Sequence, residues 1–268
     1  MARFKFTIEY EGTRYSGWQV QKDTRTIQGK LLETAEKVFK NEKVDIQGSG
    51  RTDAGVHALC QTGHLEVKTM LAPEIIKMKL NDGLPSDINI LEVEKVDPKF
   101  HARHDAVNRS YIYQIAKRRT AFHKNHVWWI KDKLNFERMI SASKLFWGMH
   151  DFVSFADKDD EEKSTKVLIE NIHMKEDGAL ILIRIVGSHF LWKMVRRMVG
   201  VLVEIGRGKL SEKDLKEYLN SKSNEPAKYT APPSGLFLEQ VAYKNDKLKH
   251  ELLPVTSIPH FSNKKFSH

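Results

Sequence analysis

A short glycine-rich segment, residues 48 to 58, carries side chains that could do chemistry. Asp53 lies two residues after Arg51 and four residues before His57. The three glycines predict a loop, which is where binding and catalytic side chains are often found. A nearby arginine favours the ionised form of a carboxylate, and an ionised carboxylate can act as a nucleophile or as a base.

Several interpretations of this loop compete on the residues alone. A phosphate-binding loop is a poor match, because Gly48-Ser49-Gly50 lacks the third glycine of a dinucleotide motif and no Gly-Lys-Ser/Thr follows. His57, Cys60 and His64 are possible metal ligands, but the sequence supplies no paired fourth ligand. Asp53 could also simply cap a turn by accepting from its own backbone. Spacing alone leaves the catalytic and the turn interpretation of Asp53 open.

The elements that must position this loop are predicted from the hydrophobic pattern. Apolar residues alternate with polar ones from Phe4 to Tyr10, which predicts a strand with one buried face, and Thr26 is a typical N-cap for the helix that follows. Asp177-Gly178 favours a hairpin with a type I′ turn. The other predicted elements are strands at 44–47, 61–67, 88–94 and 109–116, and helices at 73–81, 135–147, after Ser188 and at 211–219.

Strands and helices mix in both halves of the chain without strict alternation, which predicts an α+β fold with substantial antiparallel pairing. We expect one α+β half at 1–105, which carries the Asp53 loop, and a second at 106–245. A basic tail at 246–268 follows, and its prolines are typical of an extended segment.

Composition narrows the class of protein further. The 268 residues include 44 Lys and Arg against 35 Asp and Glu, a formal net charge of +9, which favours a polyanionic partner such as a nucleic acid. The single cysteine, Cys60, excludes an intramolecular disulfide framework. We find neither a signal-peptide pattern nor an apolar run of membrane-spanning length, so the expected location is the cytoplasm, away from the membrane.

Several motifs, in order along the chain, resemble those of the tRNA pseudouridine synthase A (TruA) family. The segment Gly50-Arg51-Thr52-Asp53-Ala54-Gly55-Val56-His57-Ala58 resembles the catalytic loop of that family. The other matching segments are 10–19, 26–29, 100–103 with 109–113, 150–155, 190–200 and 231–238.

The resemblance implies an enzyme that isomerises uridine to pseudouridine in tRNA, at positions thirty-eight, thirty-nine and forty of the anticodon stem-loop. It implies no metal and no organic cofactor. It also implies a homodimer, with one tRNA contacting both protomers. Each protomer would have two similar halves that form one extended sheet, with helices on one side and a central cleft.

The resemblance also assigns roles to residues of this chain. Asp53 would be the covalent nucleophile, attacking either C6 of the base or C1′ of the sugar, and Arg196 would pair with it. Tyr111 would stack on a flipped-out uracil, with its phenol a candidate for removing the C5 proton. Substrate contacts would come from Arg51, His57 and Leu238, in addition to Tyr111.

The match is not uniform, and two other functions stay open. His104, Ala156 and the acidic run at 157–162 depart from the family pattern, which affects the expected tRNA contacts and choice of uridine more than the chemistry. The alternatives are an RNA-binding or RNA-chaperone protein without catalysis, in which Asp53 is a turn residue, and a pseudouridine synthase that acts on another RNA.

Overall fold

The structure, a computed structural model, describes residues 1–40, 42–158 and 164–258. The helices are α1 (Ile27–Val38), α2 (Pro73–Gly83), α3 (Phe136–Ser143), α4 (Met194–Gly206), α5 (Glu212–Asn220) and α6 (Glu225–Lys228). The strands are β1 (Ala2–Tyr10), β2 (Asp45–Gly48), β3 (His57–Val67), β4 (Ile88–Val96), β5 (Asn108–Ala116), β6 (Trp128–Trp129), β7 (Gly148–Asp151), β8 (Lys166–Asp177), β9 (Leu180–Gly187) and β10 (Leu236–Ala242).

All ten strands belong to one sheet, and its central order is β4-β1-β3-β10-β5-β9-β8-β7. The short strands β2 and β6 pair with β3 and β5. Most pairs are antiparallel, but β10 lies parallel to β3 through Phe237 and Leu238. Because β10 comes from the end of the chain and lies between β3 and β5, it joins the strands of the two predicted halves into one sheet. The predicted α+β class is confirmed.

The two faces of the sheet are covered differently. One face packs against α1 to α5 in the main core, where alternate strand residues such as Ile8, Tyr113 and Ile183 are fully buried. The opposite face has a smaller cluster that includes Ile112 and Leu182. The side-chain period of two along each strand explains this division, since residues 112 and 113 point to opposite faces. The helices that pack against the sheet therefore lie on one side, as predicted.

The tail packs on the second face as far as the described residues extend. Leu252 and Ile258 are buried in the cluster with Ile112 and Leu182. Gln114, on β5, accepts a hydrogen bond at Oε1 from the backbone N–H of Val255. Residues 246–258 therefore form part of the folded protein, and the predicted tail beyond 258 lies outside the described residues. No described helix combines the length and the apolar character that crossing a membrane requires.

Local signals in the sequence located several elements correctly. Thr26 accepts from the N–H of Gly29 at the start of α1, and Ser211 forms a capping box with Asp214 at the start of α5. The turn of the β8–β9 hairpin differs from the prediction. Its central residues are Gly178 and Ala179, and only Gly178 has a positive φ, 53°, a pattern of type II′ rather than type I′ turns.

Three element bounds also differ from the prediction. The strand expected at 61–67 begins at His57, so the end of the Asp53 loop is already part of the sheet. The helix expected over 135–147 ends at Ser143 and continues as a 3₁₀ turn to Phe146. The helix expected after Ser188 begins only at Met194, since Lys193 adopts a left-handed conformation with φ 63°. Residues 189–193 are thus a loop that precedes α4.

Candidate active site

Asp53 and Arg196 form an ion pair at the wall of a cavity of about 820 Å³. The guanidinium Nη1 of Arg196 donates to Asp53 Oδ2 over 2.9 Å, although the two residues are 143 positions apart in the chain. Among the described residues, this is the hydrogen bond that the Asp53 carboxylate accepts, and Oδ1 accepts none. The side chain does not cap its own turn, so the geometry does not favour the turn interpretation of Asp53.

The loop that carries Asp53 is held by the segment after β1. The backbone N–H of Trp18 donates to Thr52 O over 3.1 Å, and the N–H of Gly55 donates to Tyr15 O over 3.2 Å. Tyr10 and Thr52 share a buried hydroxyl–hydroxyl hydrogen bond of 2.8 Å. Gly17 has φ 92°, and a Cβ there would lie 2.5 Å from Thr52 O. The two matching motifs therefore pack directly on each other, and only glycine fits at position 17.

The Arg196 guanidinium is held by two hydrogen bonds, one from Nε and one from Nη1. It lies in the first turn of α4, and its Nε donates to the carbonyl of Ala231 over 2.7 Å. The N–H of Ala231 in turn donates to Arg196 O over 3.1 Å. Because Nε and Nη1 are both engaged, the plane of the guanidinium is fixed relative to Asp53.

Tyr111 and Leu238 form an apolar part of the cavity wall. They are direct neighbours on β5 and β10, and both are buried. Phe190 packs edge-on against the Tyr111 ring at 5.1 Å between centroids. Burial, and secondarily the negative charge of Asp53, raises the pKa of the Tyr111 phenol well above its usual value. The phenol is therefore protonated at neutral pH.

Tyr113 is on the same face of β5 but does not line the cavity. Its hydroxyl donates to the carbonyl of Pro232 over 2.8 Å, and its ring packs edge-on against Trp128. The two tyrosines thus have different environments, which their equal sequence spacing could not reveal.

Cationic residues lie around the cavity opening. Arg51, Arg103, Lys158 and Lys193 line the cavity. The Arg51 side chain is exposed, and its Nε donates to Gln19 Oε1 over 3.1 Å. Part of the positive charge of the chain therefore lies at the cavity that contains Asp53.

Arg109 is a structural residue of the site that sequence reasoning did not single out. Its guanidinium donates to the carbonyls of Ser49, Arg103 and Ser188, at 3.0, 2.9 and 2.8 Å. It therefore connects the start of the Asp53 loop to the segment before α4. The only signal in the sequence was its place at the head of the Arg109-Ser110-Tyr111 motif.

His57 was predicted to contact substrate, but the structure places it outside the cavity. It pairs with Phe237 between β3 and β10, whereas the cavity is lined by Leu236 and Leu238 on the other face of β10. The imidazole is 1% exposed and stacks on Phe237. Strand alternation explains the difference, since His57 and the cavity residues occupy opposite faces of the sheet.

The sequence suggested Cys60 and His64 as possible metal ligands together with His57, but in the structure His57 lies beside other side chains. Its ligand atom lies within 4.8 Å of those of Glu11 and His126, rather than with Cys60 and His64. Its Nδ1 accepts from the N–H of Gly12 over 3.0 Å, and its Nε2 lies 2.9 Å from Asn125 O. Burial lowers the pKa of His57. Both ring nitrogens are thus engaged with the backbone, as expected for a neutral histidine that fixes a loop.

Comparison with known proteins adds the family. A family model described as tRNA pseudouridine synthase matches residues 7–105 and 142–244. The chain belongs to the tRNA pseudouridine synthase family. The tail beyond residue 244 lies outside the matched region.

Curated relatives agree with this family. A tRNA pseudouridine synthase A from Pseudothermotoga lettingae is 39% identical over 91% of this chain and 100% of its own length. Another from Geobacillus kaustophilus is 38% identical over 94% of this chain and 98% of its own. Among solved structures, one titled as a Cbf5-Nop10-Gar1 complex is 10% identical over 74% of this chain and 54% of its own, with a TM-score of 0.32.

The predicted family and the predicted enzyme class are therefore confirmed. As a tRNA pseudouridine synthase, the protein is an isomerase that acts on uridine in tRNA.

Proposed function

We propose that this synthase isomerises uridines of the tRNA anticodon stem-loop, at positions thirty-eight, thirty-nine and forty, and that Asp53 is its nucleophile. The observation that supports the catalytic role is the Asp53 carboxylate itself. One oxygen is held by Arg196, while Oδ1 accepts no hydrogen bond from a described residue at the cavity wall. A carboxylate oriented in this way has an oxygen available for a covalent step.

The reaction breaks the N1–C1′ bond of uridine and forms a C5–C1′ bond, with no net loss of atoms. N1 gains a proton, and C5 loses one. The uracil must stay bound while it turns, which requires a pocket that holds a flat ring after its bond to the sugar is broken. Asp53 could attack either C6 or C1′, and both routes are compatible with these bond changes. Both need an ionised carboxylate.

Tyr111 and Leu238 are proposed to hold the uracil ring. An aromatic ring beside an aliphatic side chain gives a flat, apolar surface, and bases stack on tyrosine irrespective of their sequence. The raised pKa of Tyr111 makes its phenol a poor resting base, because the phenolate that would remove the C5 proton is disfavoured. We therefore assign Tyr111 primarily to stacking.

The cations around the cavity are proposed to bind tRNA phosphates. A uridine in a paired stem must be flipped out of the helix before Asp53 can reach it. Arg51 is exposed next to Asp53 in the loop, where it can contact the displaced strand. Binding through phosphate contacts weakens as salt increases, because it releases counterions.

The assembly and the location stay predictions. The family resemblance implies a homodimer in which one tRNA contacts both protomers and a reaction without cofactor, and the cytoplasmic location is expected from the sequence pattern alone. Size measurement of the purified protein with and without tRNA tests the first of these.

The test of the proposal compares wild type with Asp53→Asn and with Asp82→Asn on unmodified tRNA. Asp82 is an exposed residue of α2 that does not line the cavity, and it serves as the matched control. Pseudouridine is then mapped by position. We expect product in the anticodon stem-loop from wild type and Asp82→Asn, and none from Asp53→Asn.

Each other outcome contradicts a defined part of the proposal. Equal product from Asp53→Asn excludes Asp53 as the nucleophile. Product outside the anticodon arm contradicts the proposed positions. Binding of tRNA without product from wild type would favour the RNA-binding alternative.

A further inference from the structure

Trp192 is a large aromatic residue at the cavity that does not belong to the described hydrophobic core. Trp192 lines the cavity and is 48% exposed, whereas Trp18 is buried, at 1%. Singly exposed tryptophans are common on protein surfaces, and Trp129 and Trp147 are exposed to a similar degree. The feature that sets Trp192 apart from these two is its place at the cavity. The family resemblance assigns Trp192 no role.

The position of the Trp192 backbone is fixed. The carbonyl of Trp192 accepts from the N–H of Asp157 over 3.1 Å. The Asp157 carboxylate also forms ion pairs with Lys193, at 2.5 Å, and with Arg197. Although burial opposes it, these cations hold the pKa of Asp157 below its usual range, so the carboxylate is ionised at neutral pH. An exposed ring on a fixed backbone loses little conformational entropy when it binds.

One face of the indole is already occupied. The ammonium of Lys193 lies 4.9 Å from the centroid of the Trp192 ring. This cation–π contact engages one face of the ring, and among the described residues no ring or cation is recorded against the other face, where a second flat group can stack. The same ammonium pairs with Asp157, so ring, cation and carboxylate form one unit, which we call the Trp192 platform (Asp157, Trp192 and Lys193).

The platform is close in the chain to the residues proposed to hold the uracil. Phe190 and Trp192 belong to the loop that precedes α4. Phe190 packs on Tyr111. The cavity, of about 820 Å³, is lined by Tyr111, Phe190 and Trp192 together. Pockets that hold one drug-sized ligand range from about 300 to 1,000 Å³. A single nucleobase is smaller than such a ligand, so this cavity has room for more than one base.

We propose that Trp192 stacks on the base adjacent in sequence to the flipped-out uridine. Exposed aromatic rings beside cations are how proteins bind unpaired bases, with the ring supplying stacking and the cations holding the phosphates. Arg51 and Lys158 supply such cations in the same cavity. The inference rests on the proposed function, because it takes the occupant of the cavity to be a tRNA nucleotide.

The first test measures binding of an anticodon stem-loop RNA in an Asp53→Asn background, so that no turnover occurs. Trp192→Ala is expected to weaken binding about 5- to 150-fold, and Trp192→Phe to recover most of it. The matched control is Trp147→Ala, which removes a tryptophan of similar exposure, 45%, that does not line the cavity. Equal affinity of Trp192→Ala and the control would overturn the proposal.

A second measurement separates stacking from charge. Loss of a stacked base leaves the slope of log affinity against log salt unchanged, whereas loss of one phosphate contact reduces it by about one. We expect an unchanged slope for Trp192→Ala. A reduced slope would mean that the substitution acts through displaced Lys193, and the stacking assignment would be wrong.

The decisive measurement is a cycle that removes the base as well as the ring. RNAs with an abasic site on either side of the target uridine are compared with the intact RNA for both proteins. At the stacked position, the abasic RNA should bind the wild-type platform more weakly and be insensitive to Trp192→Ala. If both abasic RNAs lose a further 5-fold or more in the variant, Trp192 does not contact a neighbouring base.

Failure of the proposed function would look different. Wild type that makes no pseudouridine, while the binding cycle still couples Trp192 to a neighbouring base, would refute the reaction and retain the stacking. If wild type makes the expected product but the binding cycle shows no coupling between Trp192 and a neighbouring base, the reaction is retained and the stacking is refuted. In the active enzyme, the effect of Trp192→Ala is expected in KM rather than in kcat, because the ring contacts a base that does not react.

Discussion

Two of the arginine–carboxylate pairs of this protein, Arg184–Glu239 and Arg196–Asp53, are built differently. Arg184 and Glu239 are 5% and 3% exposed and make two hydrogen bonds, Nε to Oε2 at 2.8 Å and Nη2 to Oε1 at 2.6 Å. Ser110 also donates to Glu239 Oε2. Arg196 and Asp53 make a single hydrogen bond, and their side chains are 14% and 16% exposed.

The difference separates a structural pair from the pair that we propose takes part in the reaction, here called the chemical pair. Glu239 has both oxygens engaged, and Arg184 further donates to the carbonyls of Lys249, His250 and Glu251, which holds the tail on the sheet. Asp53 keeps one oxygen without a described partner, at a cavity. A carboxylate with every acceptor site used stabilises a fold, whereas one that is held but not saturated can react.

The largest expected effect on stability is that of Glu239→Gln. Removing one charge from a fully buried pair leaves Arg184 uncompensated, which costs about 3–5 kcal/mol of unfolding free energy. Urea denaturation followed by circular dichroism measures it. The counterpart, Asp53→Asn, breaks a pair with access to solvent, and we expect a loss of about 1 kcal/mol. Equal losses in the two variants would remove the distinction between the pairs.

Arg196→Ala tests the chemical pair from its other side. Without the guanidinium, Asp53 loses the group that orients it and balances its charge, so kcat/KM should fall about 10²- to 10³-fold while the protein still folds. Steady-state pseudouridine formation and a thermal melt check both statements. Arg138→Ala, an exposed arginine on α3, is the control. Full activity of Arg196→Ala would make the pair incidental to the reaction.

Sequence reasoning reached the chemical pair but not the structural one. Asp53 and Arg196 belong to motifs that match a known family, so the resemblance carried their pairing across the length of the chain. Arg184 and Glu239 belong to no short pattern. Their contact depends on β10 being inserted between β3 and β5, which is a tertiary event that periodicity does not encode.

The same limit explains the errors in detail. The N-caps at Thr26 and Ser211 were predictable because each depends on residues within one turn. The face of the sheet that His57 occupies depends on where β3 begins, and Trp192 lies in a loop only because α4 begins at Met194. Helix and strand starts are set by packing as well as by local propensity, so these were missed.

Tyr111 sharpens the chemical side of the comparison, because its environment includes the charge of Asp53. If stacking is its main role, Tyr111→Phe keeps tRNA affinity and loses activity by about 10-fold or less, whereas Tyr111→Leu loses both more strongly. Tyr113→Phe, on the same face of the same strand, should leave activity unchanged and cost about 1 kcal/mol of stability through its lost hydrogen bond to Pro232. Binding and single-turnover rates distinguish these cases. Equal losses for Phe and Leu at position 111 would assign the phenol to proton transfer.

The smallest expected effect is the loss of folding stability as the pH falls. It tests whether an ion pair or a histidine sets the pH dependence of stability. Burial, followed by the neighbouring His101 and Arg3, lowers the pKa of His64 to about 4. Its Nδ1 accepts from the N–H of Ala102 over 3.2 Å, a hydrogen bond that protonation at this atom would break.

The folded state therefore disfavours the protonated imidazole, while the unfolded chain binds its proton near pH 6.5. Stability from His64 is fully present above that pH and is lost as the pH falls from about 6.5 towards 4. Between pH 7.5 and 5.5 we expect a loss of about 1 kcal/mol, measured by urea midpoints at each pH.

His64→Asn keeps an acceptor for the Ala102 N–H but does not titrate, so it should flatten part of this dependence. His57, His101 and His126, whose pKa values are also lowered by burial, contribute to what remains. If His64→Asn leaves the pH dependence unchanged while Glu239→Gln abolishes it, the buried ion pair rather than the histidine is the acid-sensitive part of the sheet.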